Sequence, residues 1–279
     1  MRIVKTITLT LAVLWLSALP VPTQASNFTD LKGSPNVRSA SALVINAKGN
    51  VIYGKDIDTV RPIASITKLM TAMVIIDSDL DLDEKITVTK ADRDLVQLTG
   101  SRLEYGASLS RREMILLAIM SSENRAATAL GRTWPGGMKE FVKAMNSKAA
   151  QLGMDNSHFA DPAGLHVQNK STARDLMKMV KAAQGYELIR QASTTTRIEV
   201  RPYAKRGPLV YGNTNRLLKN KTWDIALSKT GYINEAGRCL VMQANIEGEK
   251  VSIVLLNSFG KLTPFGDSNR LRKWMLAKS

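Results

Sequence analysis

Cysteine and histidine are both nearly absent from this chain. Cys239 is the only thiol among 279 residues, which excludes an intrachain disulfide and any metal site of the cysteine-rich kind. Lying between Arg238 and Leu240 in an apolar run, it reads as buried and inert. The two histidines, His158 and His166, lack the His-Glu-x-x-His spacing of a zinc protease. No Gly-x-Ser-x-Gly elbow accompanies them, so a histidine-based hydrolase triad has little support and both read as structural. After the first 25 residues no apolar run is long enough to span a bilayer, and no repeat or Pro-, Gly- or Gln-rich linker divides the chain. Acidic side chains are also in deficit: 24 against 39 Lys and Arg leave a formal charge of +15. That balance favours polyanionic surroundings, namely nucleic acid, anionic lipid or an anionic wall polymer. The cations are scattered, so a solvated basic surface accounts for them as well as a binding role does.

What is present begins with export. Arg2 and Lys5, the apolar run Leu9 to Leu19, a break at Pro20 and the small residues Thr23 and Ala25 predict a secretory signal peptide over residues 1–25. Its apolar run is short for a membrane anchor, and export argues against nucleic acid. Residues 26–40 read as a flexible leader, and residues 41–279 as a single domain.

Two strands come early, around Ala42 to Ile45 and Val51 to Tyr53, joined by the turn Asn46-Ala47-Lys48-Gly49-Asn50. Three come late, over Ile225 to Gly231, Arg238 to Ile246 and Val251 to Ser258. Between them lie helices: an apolar one from Ala64 to Ile76, then Met114 to Met120 behind a Ser110/Glu113 capping box, Ala126 to Leu130, and Met138 to Leu152 closed by Gly153. Thr172 and Asp175 open another over Leu176 to Ala183, and the tail from Ser268 to Leu276 has helical spacing suited to covering the sheet. The order predicts an α+β (α/β) fold, with an antiparallel sheet of about five strands whose first and last segments meet, flanked by helices and carrying a mostly helical lobe over roughly 77–185.

Three clusters can carry chemistry. Ser65 and Lys68 stand three apart at the start of a buried helix, which stacks the amine above the hydroxyl; a desolvated Lys loses its proton near neutrality and can activate Ser. Taken alone the pair is weak, since one Ser-x-x-Lys is expected by chance in a chain of this size. Ser122-Glu123-Asn124 falls in a polar break between helices, where a hydroxyl can relay protons and an amide can hold a carbonyl, although a plain N-cap accounts for it too. Lys229-Thr230-Gly231 closes a strand whose edge can pair with an extended peptide, Lys229 supplying charge for a carboxylate and Gly231 permitting close approach; a strand-end turn is the alternative.

Their conjunction, in this order and in these contexts, resembles the penicillin-interacting serine enzymes that join penicillin-binding proteins and class A β-lactamases. Arg61 to Met73, Met120 to Ala127, Ser171 to Leu176 and Leu227 to Gly231 look like the low-molecular-mass D-alanyl-D-alanine peptidases, the endopeptidases most of all. The resemblance implies a penicillin-binding fold with Ser65 as the acylated nucleophile, Lys68 as its base and Ser122 as proton relay to the leaving amine. It implies Asn124, Lys229, Thr230 and Gly231 as substrate-binding residues, and the backbone N–H groups of Ser65 and Tyr232 as the oxyanion hole. No metal or other cofactor is implied. The implied partners are peptidoglycan stem peptides and cross-links, with β-lactams as covalent inhibitors, in the periplasm and with at most peripheral membrane or wall association. Carboxypeptidase relatives continue into a β-rich domain and a membrane-binding tail, so no C-terminal anchoring domain is expected here. They tend to carry Arg where Asn213-Thr214-Asn215 has Thr, which fits cleavage within a cross-link better than trimming of a free terminus. No Glu lies between Glu140 and Glu187, the stretch where class A β-lactamases place their deacylating base. The alternatives are a D-alanyl-D-alanine carboxypeptidase trimming pentapeptides and a non-catalytic wall-binding protein.

Overall fold

The first hairpin forms because its turn satisfies itself. Asn46 accepts on its side-chain oxygen the N–H groups of Lys48 and Asn50, at 3.1 and 2.9 Å, while Gly49 takes a φ of +88° that favours glycine. In this computed structural model, which describes residue 28 and residues 31–277, the turn joins β1 (Ser41–Asn46) to β2 (Val51–Lys55). The signal peptide expected over 1–25 lies outside the described residues. The late strands β3 (Asp224–Ile233), β4 (Gly237–Ile246) and β5 (Glu249–Ser258) form a meander, and β5 pairs with β1. The sheet therefore has five strands in the order β2-β1-β5-β4-β3, antiparallel throughout, with the two ends of the domain meeting at its centre as the sequence predicts.

Period-two alternation divides this sheet between two cores. Leu43, Leu227, Val241, Val254 and Leu256 face the helices, whereas Val44, Leu240, Met242, Ile253 and Leu255 face Leu271 and Met275 of the C-terminal helix. The described helices are α1 (Lys68–Ile76), α2 (Arg111–Met120), α3 (Asn124–Arg132), α4 (Gly137–Gln151), α5 (Ala173–Ala183), α6 (Glu187–Thr194) and α7 (Thr263–Leu276). Helix α1 buries eight of its nine residues, so it runs through the middle of the molecule and holds whatever precedes it. Both capping motifs form: Ser110 and Glu113 exchange bonds of 3.1 and 2.7 Å ahead of α2, and Thr172 accepts the N–H of Asp175 at 3.1 Å.

Three parts differ from expectation. Helix α5 falls inside the range assigned to the lobe but packs on β1 and β5, because Leu176, Met179, Val180 and Ala183 give it a fully apolar face. The stretch after Gln184 holds helix α6 and a short hairpin, Arg197–Val200 with Leu209–Gly212, both unforeseen. Residues 31–40, expected as a flexible leader, dock instead. Buried Asp267 on α7 accepts the N–H groups of Arg38 and Ser39 at 2.9 and 2.7 Å and the Ser39 hydroxyl at 2.5 Å, and the Trp274 indole donates to the Lys32 carbonyl at 2.8 Å.

Replacing that carboxylate strands buried donors, so Asp267→Ala is expected to lose about 2 kcal/mol of stability. Urea unfolding measures it, and a midpoint matching the parent would show that the segment contributes nothing.

Candidate active site

Ser65 is presented by a tight turn. The strand residues Arg61 and Pro62 pair with Ser171 and Lys170, then the chain tightens into a 3-10 turn over Ala64–Thr67 before α1 begins at Lys68. Ala64 sits at φ +48°, a conformation that costs a non-glycine residue about 1 kcal/mol. Two glycines lie close against the turn. A Cβ on Gly164 would lie 2.0 Å from the Ala64 carbonyl oxygen, and one on Gly231 would lie 2.8 Å from that of Ile63 and 3.2 Å from the Ser65 nitrogen. The close approach of Gly231 brings the backbone leading to Tyr232 alongside that of Ser65. As the second residue of the turn, Ser65 has an N–H that a helix start leaves without an intrahelical acceptor.

Lys68 comes one turn later, with no exposed surface. Its amine donates to Ser65 Oγ at 2.8 Å, to Asn124 Oδ1 at 2.8 Å and to the Ala163 carbonyl at 2.6 Å. Burial pushes its pKa down to about 7, against the opposing pull of the Asp161, Glu123 and Asp94 charges. The Ala163 carbonyl is held in place by Asp161, whose carboxylate accepts the N–H groups of Ala163 and Gly164 at 2.7 Å each and that of His166 at 2.8 Å. Neither Asp161 nor this carbonyl was singled out from sequence. The Asp-Pro-Ala-Gly turn at 161–164 was the available signal.

The second half of the site comes from the break between α2 and α3 and from β3. Ser122 holds a φ of +60°, and its hydroxyl accepts from Lys229 Nζ at 3.0 Å. Lys229 also donates to the Thr230 carbonyl at 2.9 Å and is 1% exposed, so burial first, and the charge of Lys68 second, hold its pKa well below the usual lysine range. Asn124, the first residue of α3, is oriented by the bond its amide donates to Thr99 Oγ1 at 2.8 Å; Asp94 in turn closes the 94–99 loop by accepting the Thr99 hydroxyl at 2.7 Å. Thr230 donates to Thr214 Oγ1 at 2.6 Å. A cleft of about 460 Å³ opens above these groups, with Ser65, Ser122, Asn124, Thr230, Gly231 and Tyr232 in its walls. A groove of similar volume, about 470 Å³, between α1 and α4 near Asp77 and Trp134 holds none of them. Cys239 pairs across the sheet with Gly231 and is buried, its thiol pushed up to about 11, which leaves it inert at neutral pH.

The structure thus brings all eight residues expected at the site to one cleft or directly beneath it. A hydroxyl with a desolvated amine beside it, and no histidine, can take part in acyl transfer at neutral pH. The fold and this arrangement define the class: a penicillin-interacting serine enzyme. The chain belongs to the D-alanyl-D-alanine carboxypeptidase family, whose pattern it matches over residues 29–260. It is 49% identical to a D-alanyl-D-alanine endopeptidase of Pseudomonas aeruginosa, over 85% of this chain and 77% of that one. An Escherichia coli protein of the same description is 47% identical, over 86% and 78%. The crystal structure of the Streptomyces K15 DD-transpeptidase superposes with a TM-score of 0.82 at 29% identity, covering 88% of this chain and all of that one.

The close packing of Gly164 on the Ser65 turn is open to test. Gly164→Ala combines a backbone collision with a strained φ of +76°, so it is expected to cost about 2 kcal/mol or more and to slow reaction of Ser65 with a covalent serine reagent. Thermal unfolding and labelling rates equal to those of the parent would refute that packing.

Proposed function

We propose that the protein is a serine D,D-peptidase that hydrolyses D-alanyl-diaminopimelyl cross-links of peptidoglycan through an ester on Ser65, and that β-lactams acylate the same hydroxyl. The observation that carries this reading is the 2.8 Å approach of a fully buried lysine amine to Ser65 Oγ. Neutral Lys68 takes the hydroxyl proton as Ser65 Oγ attacks the D-alanyl carbonyl carbon. The backbone N–H groups of Ser65 and Tyr232 then serve the oxyanion of the tetrahedral intermediate. Ser122 passes a proton to the departing amine and is resupplied through Lys229, with which it is hydrogen-bonded. Asn124 positions the acyl part, while Lys229, Thr230 and Gly231 receive the carboxylate and backbone of the residue that leaves. Water then attacks the ester carbonyl and gives its proton through Ser122 to Lys229, the acyl–Oγ bond breaks, and Lys68 returns to Ser65 Oγ the proton it took.

The two most similar relatives named above are endopeptidases, and Thr214 places a hydroxyl rather than a cation beside Thr230, which favours an internal bond over a free terminus. A carboxypeptidase acting on pentapeptides would use the same residues, as the family's description allows. We place the enzyme in the periplasm, exported by residues 1–25, with residues 41–279 as its catalytic unit. None of the described helices is long and apolar enough to cross a membrane, which accords with at most peripheral association.

Mature protein and a Ser65→Ala variant, incubated with cross-linked dimers and with monomeric pentapeptides, separate the readings by product mass. Ser65-dependent loss of dimer alone is expected; release of D-alanine alone would assign the carboxypeptidase, and no product would leave a wall-binding protein. The pH dependence stems from the amine. Lys68 accepts a proton only when neutral, so kcat/KM should hold steady above about pH 7 and fall about tenfold per unit below it. A profile flat from pH 5 to pH 8 would remove Lys68 as the base.

A further inference from the structure

The cleft that Thr214 and Thr230 line is also walled by Arg216, Arg238 and Lys261, with Pro264 and Phe265 at the start of α7. No carboxylate lines it among the described residues, and none of the three cations joins an ion pair there. Elsewhere on the surface Arg174 and Arg206 find Asp58 and Glu104. The wall is also held in shape before anything binds. Arg238 pairs with Tyr232 across β3 and β4, and its guanidinium lies over the Tyr232 ring, 3.5 Å from the centroid. Arg216 opens a short turn capped by buried Asn215, whose side chain accepts the Leu217 N–H at 3.0 Å.

Three like charges without counter-charges repel one another in a concave wall, and that repulsion is relieved when an anion enters. We infer that Arg216, Arg238 and Lys261 form an outer anion subsite that selects a leaving peptide carrying free carboxylates beyond the one next to the scissile bond. The inference rests on the proposed function for its direction: Thr230 and Lys229 face the leaving residue, and the cations follow that pair along the chain and the sheet, Arg216 after Thr214 and Arg238 opposite Tyr232. A single departing D-alanine carries no such outer carboxylate. The leaving half of a cross-link does, in its own stem peptide.

Binding to an inactive enzyme tests this apart from catalysis. The affinity of the Ser65→Ala protein is measured for a fluorescent cross-linked dimer with its outer carboxylates free, and for one with them amidated, in the presence and absence of R216Q, R238Q and K261Q combined. Removing the charges from either side is expected to weaken binding about tenfold, with no further loss when both are removed. The salt dependence of binding should fall in parallel. Folding of the triple variant is checked separately, by covalent labelling with fluorescent penicillin in the Ser65 background. A labelled triple variant that binds both dimers as the parent does, or losses that simply add, would overturn the subsite. Should active enzyme leave every dimer uncut, the endopeptidase reading fails on its own, and the affinities still decide the subsite.

Discussion

The whole site depends on keeping an amine out of water. A lysine with no exposed surface gains nothing from hydration, so its charged form is disfavoured, and three bonds to Ser65, Asn124 and Ala163 fix it without supplying a full counter-charge. The acidic groups that act on Lys68 are each occupied with other donors: Asp161 with a row of backbone N–H groups, Glu123 with Ser101 and Arg125, Asp94 with its own loop. A direct carboxylate contact would hold the amine charged and useless as a base; complete isolation would leave it with no tie to the hydroxyl. Lys229 obeys the same constraint: burial, and after it the charge of Lys68, disfavour its ammonium form.

Holding this balance requires backbone that does not relax. Ala64 and Ser122 both occupy left-handed conformations that side chains ordinarily avoid, and they flank the cleft from the turn before α1 and the break before α3. Strain of this kind persists only where surrounding packing over-determines it. Here α1 is buried almost all round, and Gly231 of β3 and Gly164 both lie close against the turn. The sheet and helices act as a frame for two short strained segments, which present Ser65 and Ser122 to the cleft.

Much of this was legible in the amino-acid order, for physical reasons that can be named. Alternation and turn chemistry gave all five strands of the main sheet, and the capping residues Ser110 and Thr172 marked two helix starts because a side-chain oxygen must meet the orphan N–H groups there. Spacing by itself was less reliable. Ser258 and Lys261 repeat the Ser-x-x-Lys pattern, yet Ser258 ends β5 with its hydroxyl bonded to Ser39, and Lys261 projects from an exposed loop. Only a helix turns that spacing into contact. The Ala163 carbonyl was missed because backbone atoms carry no residue signature, and Thr99 because its meeting with Asn124 depends on a loop fold. The docking of residues 31–40 hinges on Asp267, more than 200 positions away, and no local pattern reports such a pairing.

The distribution of positive charge along the cleft bears on which bond is cut. A cation at position 214 would sit beside Thr230, close enough to the reacting end to grip a terminal carboxylate, and would reward the smallest leaving group. With Thr214 there, that position offers a hydroxyl, and the cations that line the same cleft are Arg216, Arg238 and Lys261. Electrostatic attraction then increases with the length of anionic peptide that reaches them, so a leaving stem gains where a lone D-alanine does not. Under the proposed mechanism the same groups serve either reaction, because nothing asked of Ser65, Lys68 or Ser122 depends on the size of the group leaving from the scissile amide. Specificity on this scaffold is therefore a question of where beyond Thr230 the charge is placed.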